Sequence, residues 1–223
     1  MAAFRAAVEL GASAVELDVQ QSLDGELVVM HDDTVERTTD GRGPVGELSL
    51  AELRALDAGS WFSPEFAGEQ VPLLREVLEL PVVPVIELKY GSERYPGIEE
   101  RLVRGLVEAG RVDDAVVISG DPLPLARLRQ IQPGIRTLSF REGTLGPEFD
   151  LAGQPPSAVL FAPPVPGLEA VIQLAREAGH LMIGTTLWVE APLEGYLLGQ
   201  IEAGLSGVFT DDVEVVRELM AAG

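Results

Sequence analysis

Apolar runs rich in β-branched residues alternate with stretches of helical period along most of the 223-residue chain. Such alternation is typical of parallel strands joined by crossover helices. We therefore expect an α/β protein. The predicted strands are residues 14–20, 26–32, 82–89, 115–120, 135–140, 158–163, 180–186 and 207–211. The predicted helices are residues 2–10, 50–57, 72–80, 97–109, 122–131, 168–178, 194–203 and 212–221.

Several predicted helices carry the residues that helix ends require. Ser49 and Glu52 have the spacing of a capping box. Asp121 is followed by Pro122, which places an acceptor at the N-cap and proline at the first helical position. Glycines suited to left-handed C-caps follow four predicted helices, at positions 11, 110, 179 and 204.

The first two predicted strands break the parallel pattern. Only a few residues separate them, which is too short for a parallel crossover. Asp24-Gly25 is a strong hairpin signal. The second strand should therefore run back antiparallel and bring His31 beside Asp18.

Without the returning strand, seven parallel strands are predicted, whereas a closed (β/α)8 barrel needs eight. The chain also begins directly with a helix. We expect a single barrel domain over residues 1–223, N-terminally incomplete, whose first strand is not in this sequence. The alternative is an open seven-stranded α/β sheet.

The charge and composition exclude several classes of protein. A formal net charge of −20 argues against nucleic acid as a partner, because phosphate backbones attract basic surfaces. The absence of cysteine excludes disulfides and thiolate metal sites. No apolar run reaches the length of a transmembrane span, and residues 2–10 are typical of an amphipathic helix rather than a signal peptide. We expect a cytoplasmic protein; its oligomeric state is left open.

Acidic side chains interrupt two otherwise apolar strands. Glu16 and Asp18 are two residues apart, so both point to one face of the first strand, roughly 7 Å apart. Glu87 ends a second apolar strand. Like charges repel at such distances, and a divalent cation would remove that cost. Three carboxylates suit Mg²⁺ or Ca²⁺, which prefer oxygen ligands. The alternative is an ordinary network in which the two acids of the first strand pair with arginines.

The basic residues are almost all arginine. Of the 16, only Lys89 is lysine, and it follows Glu87 on the same face of its strand. A chain that uses arginine elsewhere has reason to keep lysine where a compact ammonium is needed. The alternative is a surface ion pair with Glu87.

Two histidines are present. Histidine as a residue type suits acid–base catalysis, which makes His31 a candidate; a buried, hydrogen-bonded structural histidine is the alternative. His180 opens a predicted strand at its N-terminal end and is interpreted as structural.

Residues 2–43, AAFRAAVELGASAVELDVQQSLDGELVVMHDDTVERTTDGRG, carry a recognisable order of motifs. A helix is followed by E-L-D-V, a D-G turn, an apolar strand, H-D and E-R-T-T-x-G; E-L-K follows at residues 87–89. This order resembles the glycerophosphodiester phosphodiesterases, and the resemblance extends to GVFTD at residues 207–211.

The resemblance implies a TIM barrel and a metal-dependent reaction. Glu16, Asp18 and Glu87 would bind Mg²⁺ or Ca²⁺, His31 would be one of two catalytic histidines, and Lys89 would contact the phosphate. It also implies attack at phosphorus of a small glycerophosphodiester, for which the glycerol's own 2-hydroxyl is a candidate nucleophile. The products would be an alcohol and glycerol 3-phosphate.

The sequence departs from the family pattern in two places. An opening strand ending H-R-G, followed by P-E-N-T, is not present, so the other histidine, an arginine and a glutamate are not supplied. The late W-T-V-N motif is replaced by IGTTLW, which ends at Trp188. We therefore expect little or no activity from the chain as written. Alternatives are an inactive barrel that binds phosphorylated ligands and an Mg²⁺-dependent aldolase or lyase.

Overall fold

The structure is a computed structural model, which describes residues 1–139, 158–161, 172–173, 176–177, 179, 181–185, 201 and 204–222. They belong to two compact units, Met1–Thr137 and Leu138–Gly223. The single domain over residues 1–223 stays a prediction. The residues that the structure does not describe include 140–157, most of the predicted helices 168–178 and 194–203, His180 and Trp188.

All eight predicted strands are found. They are β1 (Ala14–Gln21), β2 (Leu27–Val29), β3 (Val83–Leu88), β4 (Val116–Ser119), β5 (Arg136–Ser139), β6 (Ala158–Phe161), β7 (Leu181–Thr185) and β8 (Gly207–Phe209). The described residues also form six complete helices. They are α1 (Ala2–Glu9), α2 (Leu50–Ala55), α3 (Leu74–Leu78), α4 (Ile98–Glu108), α5 (Pro122–Ile131) and α6 (Val213–Ala222).

The predicted helix ends are confirmed in the first unit. The Ser49 hydroxyl accepts from Glu52 N, and the Glu52 carboxylate accepts from Ser49 N at 2.8 Å, which completes the capping box. Asp121 accepts from Leu123 N at 2.9 Å at the start of α5. Helix α2 is shorter than predicted, because Leu56 already has an extended backbone.

The first five strands form one sheet in the order β2-β1-β3-β4-β5. Strands β1, β3 and β4 are parallel, whereas β2 runs antiparallel to β1, as the short Asp24-Gly25 connection predicted. Gly25 has a φ of 92°, which glycine adopts without the Cβ clash that other residues would meet. In the second unit, β6, β7 and β8 pair in parallel.

Strand β2 is shorter than the predicted 26–32. Val28 lies opposite Gln20, and Met30 N still donates to Asp18 O at 3.0 Å. The Met30 carbonyl, however, accepts from the Gln20 side-chain amide. Because a side chain takes the place of a backbone partner there, the strand ends before His31.

The apolar core of the first unit lies between the sheet and its helices. Leu17, Ile86 and Val117 lie in register on three neighbouring strands and are almost wholly buried. Helix α4 contributes Leu102 and Leu106 at the spacing of one helix face. Side chains alternate along a strand, so the other face of β1 and β3 carries Glu16, Asp18 and Glu87. None of the helices in the described part of the chain has the length and apolar character that a membrane span requires.

Candidate active site

Three carboxylates from two neighbouring strands converge on one face of the first sheet. Parallel pairing places Asp18 directly opposite Glu87 and Glu16 opposite Val85. One ligand oxygen from each of Glu16, Asp18 and Glu87 lies within 4.8 Å of the other two. The geometry can hold one divalent cation, because a single ion can reach three oxygens at this spacing.

The hydrogen bonding of these oxygens is incomplete. Glu16 Oε1 and Asp18 Oδ1 are buried and accept no aligned hydrogen bond. Buried polar atoms are normally paired, and an unpaired acceptor costs about 1–3 kcal/mol, more if it is charged. A hard cation would satisfy both atoms, so the residues present fit Mg²⁺ or Ca²⁺.

Lys89 supplies a positive charge at this cluster. Its Nζ donates to Glu87 Oε1 at 3.1 Å and lies 2.9 Å from Asp18 Oδ1. The second contact is an ion pair without hydrogen-bond alignment, so Asp18 Oδ1 still accepts no hydrogen bond. The predicted shared face of Glu87 and Lys89 is confirmed, and the pair is largely buried rather than on the open surface.

Burial and mutual repulsion set the protonation of the cluster. Burial, followed by the charges of Asp18 and Glu87, raises the pKa of Glu16 to about 8, against a smaller opposing effect of Lys89. Burial and Asp18 likewise raise the pKa of Glu87. Burial alone would lower the pKa of Lys89, but the two neighbouring carboxylates outweigh it and raise that pKa. Without a cation, Glu16 therefore retains a proton at neutral pH.

His31 follows β2 at the level of the carboxylates, because Met30 pairs with the backbone of Asp18. Its side chain is 65 % exposed, so the alternative of a buried structural histidine is wrong. Its Nδ1 lies 2.7 Å from Asp32 Oδ1, and Arg37 holds the same carboxylate through two nitrogens. No direct contact joins His31 to the three carboxylates among the residues described.

The Asp32 contact determines which nitrogen of His31 is available. The hydrogen bond from Arg37, together with that from His31, holds the pKa of Asp32 well below its usual range. An ionised carboxylate only accepts hydrogen bonds, so His31 Nδ1 must carry the proton. In the neutral ring, Nε2 then has the lone pair and is the atom able to take a proton.

The E-R-T-T-x-G motif has a structural purpose that the sequence did not show. Arg37 orients Asp32, as described above. Thr39 Oγ1 donates to Val35 O at 2.7 Å and accepts from Gly41 N at 3.0 Å. Glu36 Oε1 accepts from Gly43 N at 2.9 Å. These bonds stabilise the loop that follows His31, because each joins two residues of that loop.

A second network borders Lys89 and was missed in the sequence. Tyr90 Oη donates to Asp33 Oδ1 at 2.8 Å, and Arg94 Nη1 lies 3.1 Å from Asp33 Oδ2. The Arg94 guanidinium stacks 4.1 Å from the centroid of the Tyr90 ring. The network ties the segment after His31 to the segment after β3. In the sequence, only the second aspartate of H-D-D indicated this network.

Gln20 was also missed. It is fully buried at the end of β1, and its amide donates to the carbonyls of Met30 and Asp32, at 2.9 and 2.6 Å. Tyr95 Oη donates to its side-chain oxygen at 2.9 Å. The signal available in the sequence was a glutamine continuing an otherwise buried strand.

Residues 1–215 match the model of the glycerophosphoryl diester phosphodiesterase family. The chain belongs to this family. It is 34 % identical, over 228 aligned residues, to a glycerophosphodiester phosphodiesterase of Caldanaerobacter subterraneus subsp. tengcongensis; the match covers 100 % of the chain and 92 % of that protein. A Bacillus subtilis glycerophosphodiester phosphodiesterase is 30 % identical, over 93 % of the chain and 76 % of its own length. These are phosphoric diester hydrolases, which decides against the aldolase or lyase alternative.

Solved structures of the family agree with the fold. The chain superposes on the glycerophosphodiester phosphodiesterase of Agrobacterium tumefaciens with a TM-score of 0.75, at 26 % identity, over 98 % of the chain and 90 % of that structure. An Oleispira antarctica phosphodiesterase, solved with the product sn-glycerol-3-phosphate, gives a TM-score of 0.77 at 24 % identity, over 99 % and 90 %. The predicted class, an α/β protein of the (β/α)8 phosphodiesterase type, is confirmed.

Proposed function

We propose that this chain hydrolyses glycerophosphodiesters to glycerol 3-phosphate and an alcohol, with a divalent cation bound by Glu16, Asp18 and Glu87. The observation that carries the proposal is the convergence of three carboxylate ligands beside Lys89, two of them with buried oxygens that accept no hydrogen bond. Family membership supports the substrate class. The Oleispira relative holds sn-glycerol-3-phosphate, the product expected here.

A bound Mg²⁺ or Ca²⁺ would offset the charge of the phosphodiester and lower the pKa of an attacking hydroxyl. Lys89 lies within 3.1 Å of two of the proposed ligands, so a phosphoryl oxygen at the cation would be within its reach. The ammonium would stabilise the negative charge that develops on that oxygen. A bound cation would also offset the charge of the ligand carboxylates, which would otherwise repel an anionic substrate.

His31 is proposed as a proton-transfer residue that acts through Nε2. The carboxylate of Asp32 holds the ring from the Nδ1 side, which leaves Nε2 directed away from its own anchor. In the overall reaction one water is consumed, the bond from phosphorus to the alcohol oxygen breaks, and that oxygen gains a proton. His31 can take a proton from the attacking hydroxyl or return one to the leaving oxygen.

The rate of the chain as written is proposed to be low. His31 is the sole histidine in the part of the chain that the structure describes, whereas the resemblance to the family implies two catalytic histidines. Loss of one proton-transfer group typically lowers a rate by about 10²–10⁴-fold. A low but metal-dependent turnover is therefore the expected result.

The experiment follows release of glycerol 3-phosphate from glycerophosphodiesters that differ only in the alcohol, with Mg²⁺, Ca²⁺ or EDTA. Turnover should require the cation and be lost in Asp18→Asn and in His31→Gln. Glu26→Gln is the matched control, because Glu26 is an exposed carboxylate of the same hairpin, paired with Arg75. Binding of glycerol 3-phosphate without any turnover would instead favour the inactive, phosphate-binding alternative. Turnover that persists in EDTA would contradict the cation site.

A further inference from the structure

Gln20 is a buried polar side chain that the chemistry above does not use. We propose that Gln20, oriented by Tyr95, is a positioning residue that holds the backbone on both sides of His31, so that the imidazole meets Asp32 and presents Nε2. This inference rests on the proposed role of His31 in proton transfer. Its test includes a measurement that needs no turnover.

The Gln20 side-chain amide has enough N–H donors for two carbonyl oxygens. The NH₂ group has two hydrogens, and its nitrogen lies 2.9 Å from Met30 O and 2.6 Å from Asp32 O. The His31 carbonyl, at 3.5 Å, is the weakest of three contacts. Both strong bonds therefore go to the residues that flank His31, and the amide spans this residue like a clamp.

The orientation of the Gln20 amide, with its oxygen towards Tyr95, follows from its hydrogen-bond partners. Tyr95 Oη donates to Gln20 Oε1 at 2.9 Å, and Tyr95 is 5 % exposed within the main core. Rotation of the amide by 180° would direct Oε1 at two carbonyl oxygens and NH₂ at the tyrosine. Because carbonyl oxygens only accept, Met30 O and Asp32 O exclude the rotated amide, and the Tyr95 hydroxyl stabilises the observed orientation by donating to Oε1.

The contacts of Gln20 position the backbone on both sides of His31. The Met30 carbonyl is withdrawn from sheet pairing by Gln20, and β2 ends there. His31 is exposed, and its ring hydrogen bond goes to Asp32. Arg37 fixes the Asp32 side chain, and Gln20 fixes the Asp32 carbonyl. Two anchors thus hold the partner of the imidazole. On the other side of His31, Gln20 holds the Met30 carbonyl, while Met30 N is held by Asp18 O.

The sheet does not need an amide at this position. The backbone of Gln20 already pairs with Val28 in the ladder, whatever its side chain. Methionine has similar length and would fill the same buried space without donors. The polar group is therefore explained by the carbonyls around His31 rather than by the strand that carries it.

The next residue offers a matched control. Gln21 is also a buried glutamine of β1, at 8 % exposure, but its oxygen lies 3.3 Å from Arg101 Nη1, away from the His31 segment. Gln20→Met and Gln21→Met are therefore the same change on adjacent positions of one strand. Tyr95→Phe removes only the hydroxyl that orients Gln20.

The first measurement is ¹⁵N NMR of the histidine rings in the full chain, with the His31 signals assigned by their loss in His31→Gln. The wild type should show the Nδ1–H tautomer of His31 that the Asp32 contact requires. In Gln20→Met this preference should be lost, and in Tyr95→Phe weakened. It should be unchanged in Gln21→Met.

The second measurement separates positioning from folding. In Gln20→Met, kcat should fall about 10- to 100-fold, because small misplacements of a reacting group have effects of that order. KM should stay within about threefold of the wild-type value, and calorimetric affinity for Mg²⁺ should be retained. An altered metal affinity would show that the substitution disturbs β1 as a whole and would overturn the proposal.

Two further results would also overturn it: wild-type His31 signals in Gln20→Met, or an equal loss of the tautomer in Gln21→Met. If the wild-type chain shows no turnover at all, the proposed hydrolysis fails. The NMR comparison still decides whether Gln20 positions the ring.

Discussion

Asp18 and Glu87 lie directly opposite each other in the parallel pairing of β1 and β3, and both carboxylates contact Nζ of Lys89. Opposite residues of neighbouring strands have adjacent side chains, so two acids in register would repel. Lys89 offsets part of this repulsion. The charged neighbours of Glu16 are mainly acidic, and its pKa is raised to about 8.

Cation binding should depend on Asp18. In titration calorimetry with Mg²⁺ or Ca²⁺, we expect Asp18→Asn to weaken binding by more than about tenfold, since even outer-shell changes have effects of about 10–100-fold. Glu26→Gln should bind like the wild type. Equal affinity in wild type and Asp18→Asn would exclude the three-carboxylate site.

Lys89 should not tolerate arginine. We expect Lys89→Arg to lower kcat/KM at least about tenfold, because the wider guanidinium cannot occupy the place of the ammonium between two carboxylates. Arg75→Lys, which changes an exposed partner of Glu26, should leave kinetics unchanged. Unchanged kcat/KM in Lys89→Arg would argue against contact between Lys89 and the phosphate.

The pKa of Glu16 predicts the pH dependence of stability without metal. Its folded pKa of about 8 lies above the unfolded value of 4.5, so the folded chain holds the extra proton. The resulting stability is complete below pH 4.5 and is lost as pH rises through 8. In EDTA, urea denaturation midpoints should therefore fall from pH 5 to pH 9.

Three comparisons test the origin of that decline. Glu16→Gln should show a shallower decline than the wild type, while Glu26→Gln should keep the full slope. Saturating Mg²⁺ should restore the midpoint at pH 9, because the cation replaces the lost proton. A slope that is the same in all three proteins would assign the effect to the general negative charge.

Cation binding should also release a proton. At pH 7 most Glu16 is protonated, because its pKa is about 8. The binding enthalpy should therefore vary with the ionisation enthalpy of the buffer, with about one proton released at pH 7 and fewer at pH 9. In Glu16→Gln the dependence on buffer should largely disappear. If the wild type shows no such dependence, Glu16 is not a proton-bearing ligand.

Local sequence determined the elements of this protein. The eight strands follow from short β-branched runs, and the antiparallel return of β2 follows from the two-residue signal Asp24-Gly25. The i, i+2 spacing placed Glu16 with Asp18 and Glu87 with Lys89 on common faces, because side chains alternate along a strand. Capping at Ser49 and Asp121 was also readable, since each cap bonds within three residues.

Tertiary structure decided what lies between distant segments. Sequence could not show that Asp18 stands opposite Glu87, because register between strands 69 positions apart depends on the packing of the whole sheet. The exposure of His31, its anchoring by Asp32 and Arg37, and the clamp of Gln20 and Tyr95 were likewise not readable. Gln20 and Tyr95 are 75 residues apart. A hydrogen bond across that separation exists only once the core has fixed both side chains, whereas periodicity reports only on neighbours along the chain.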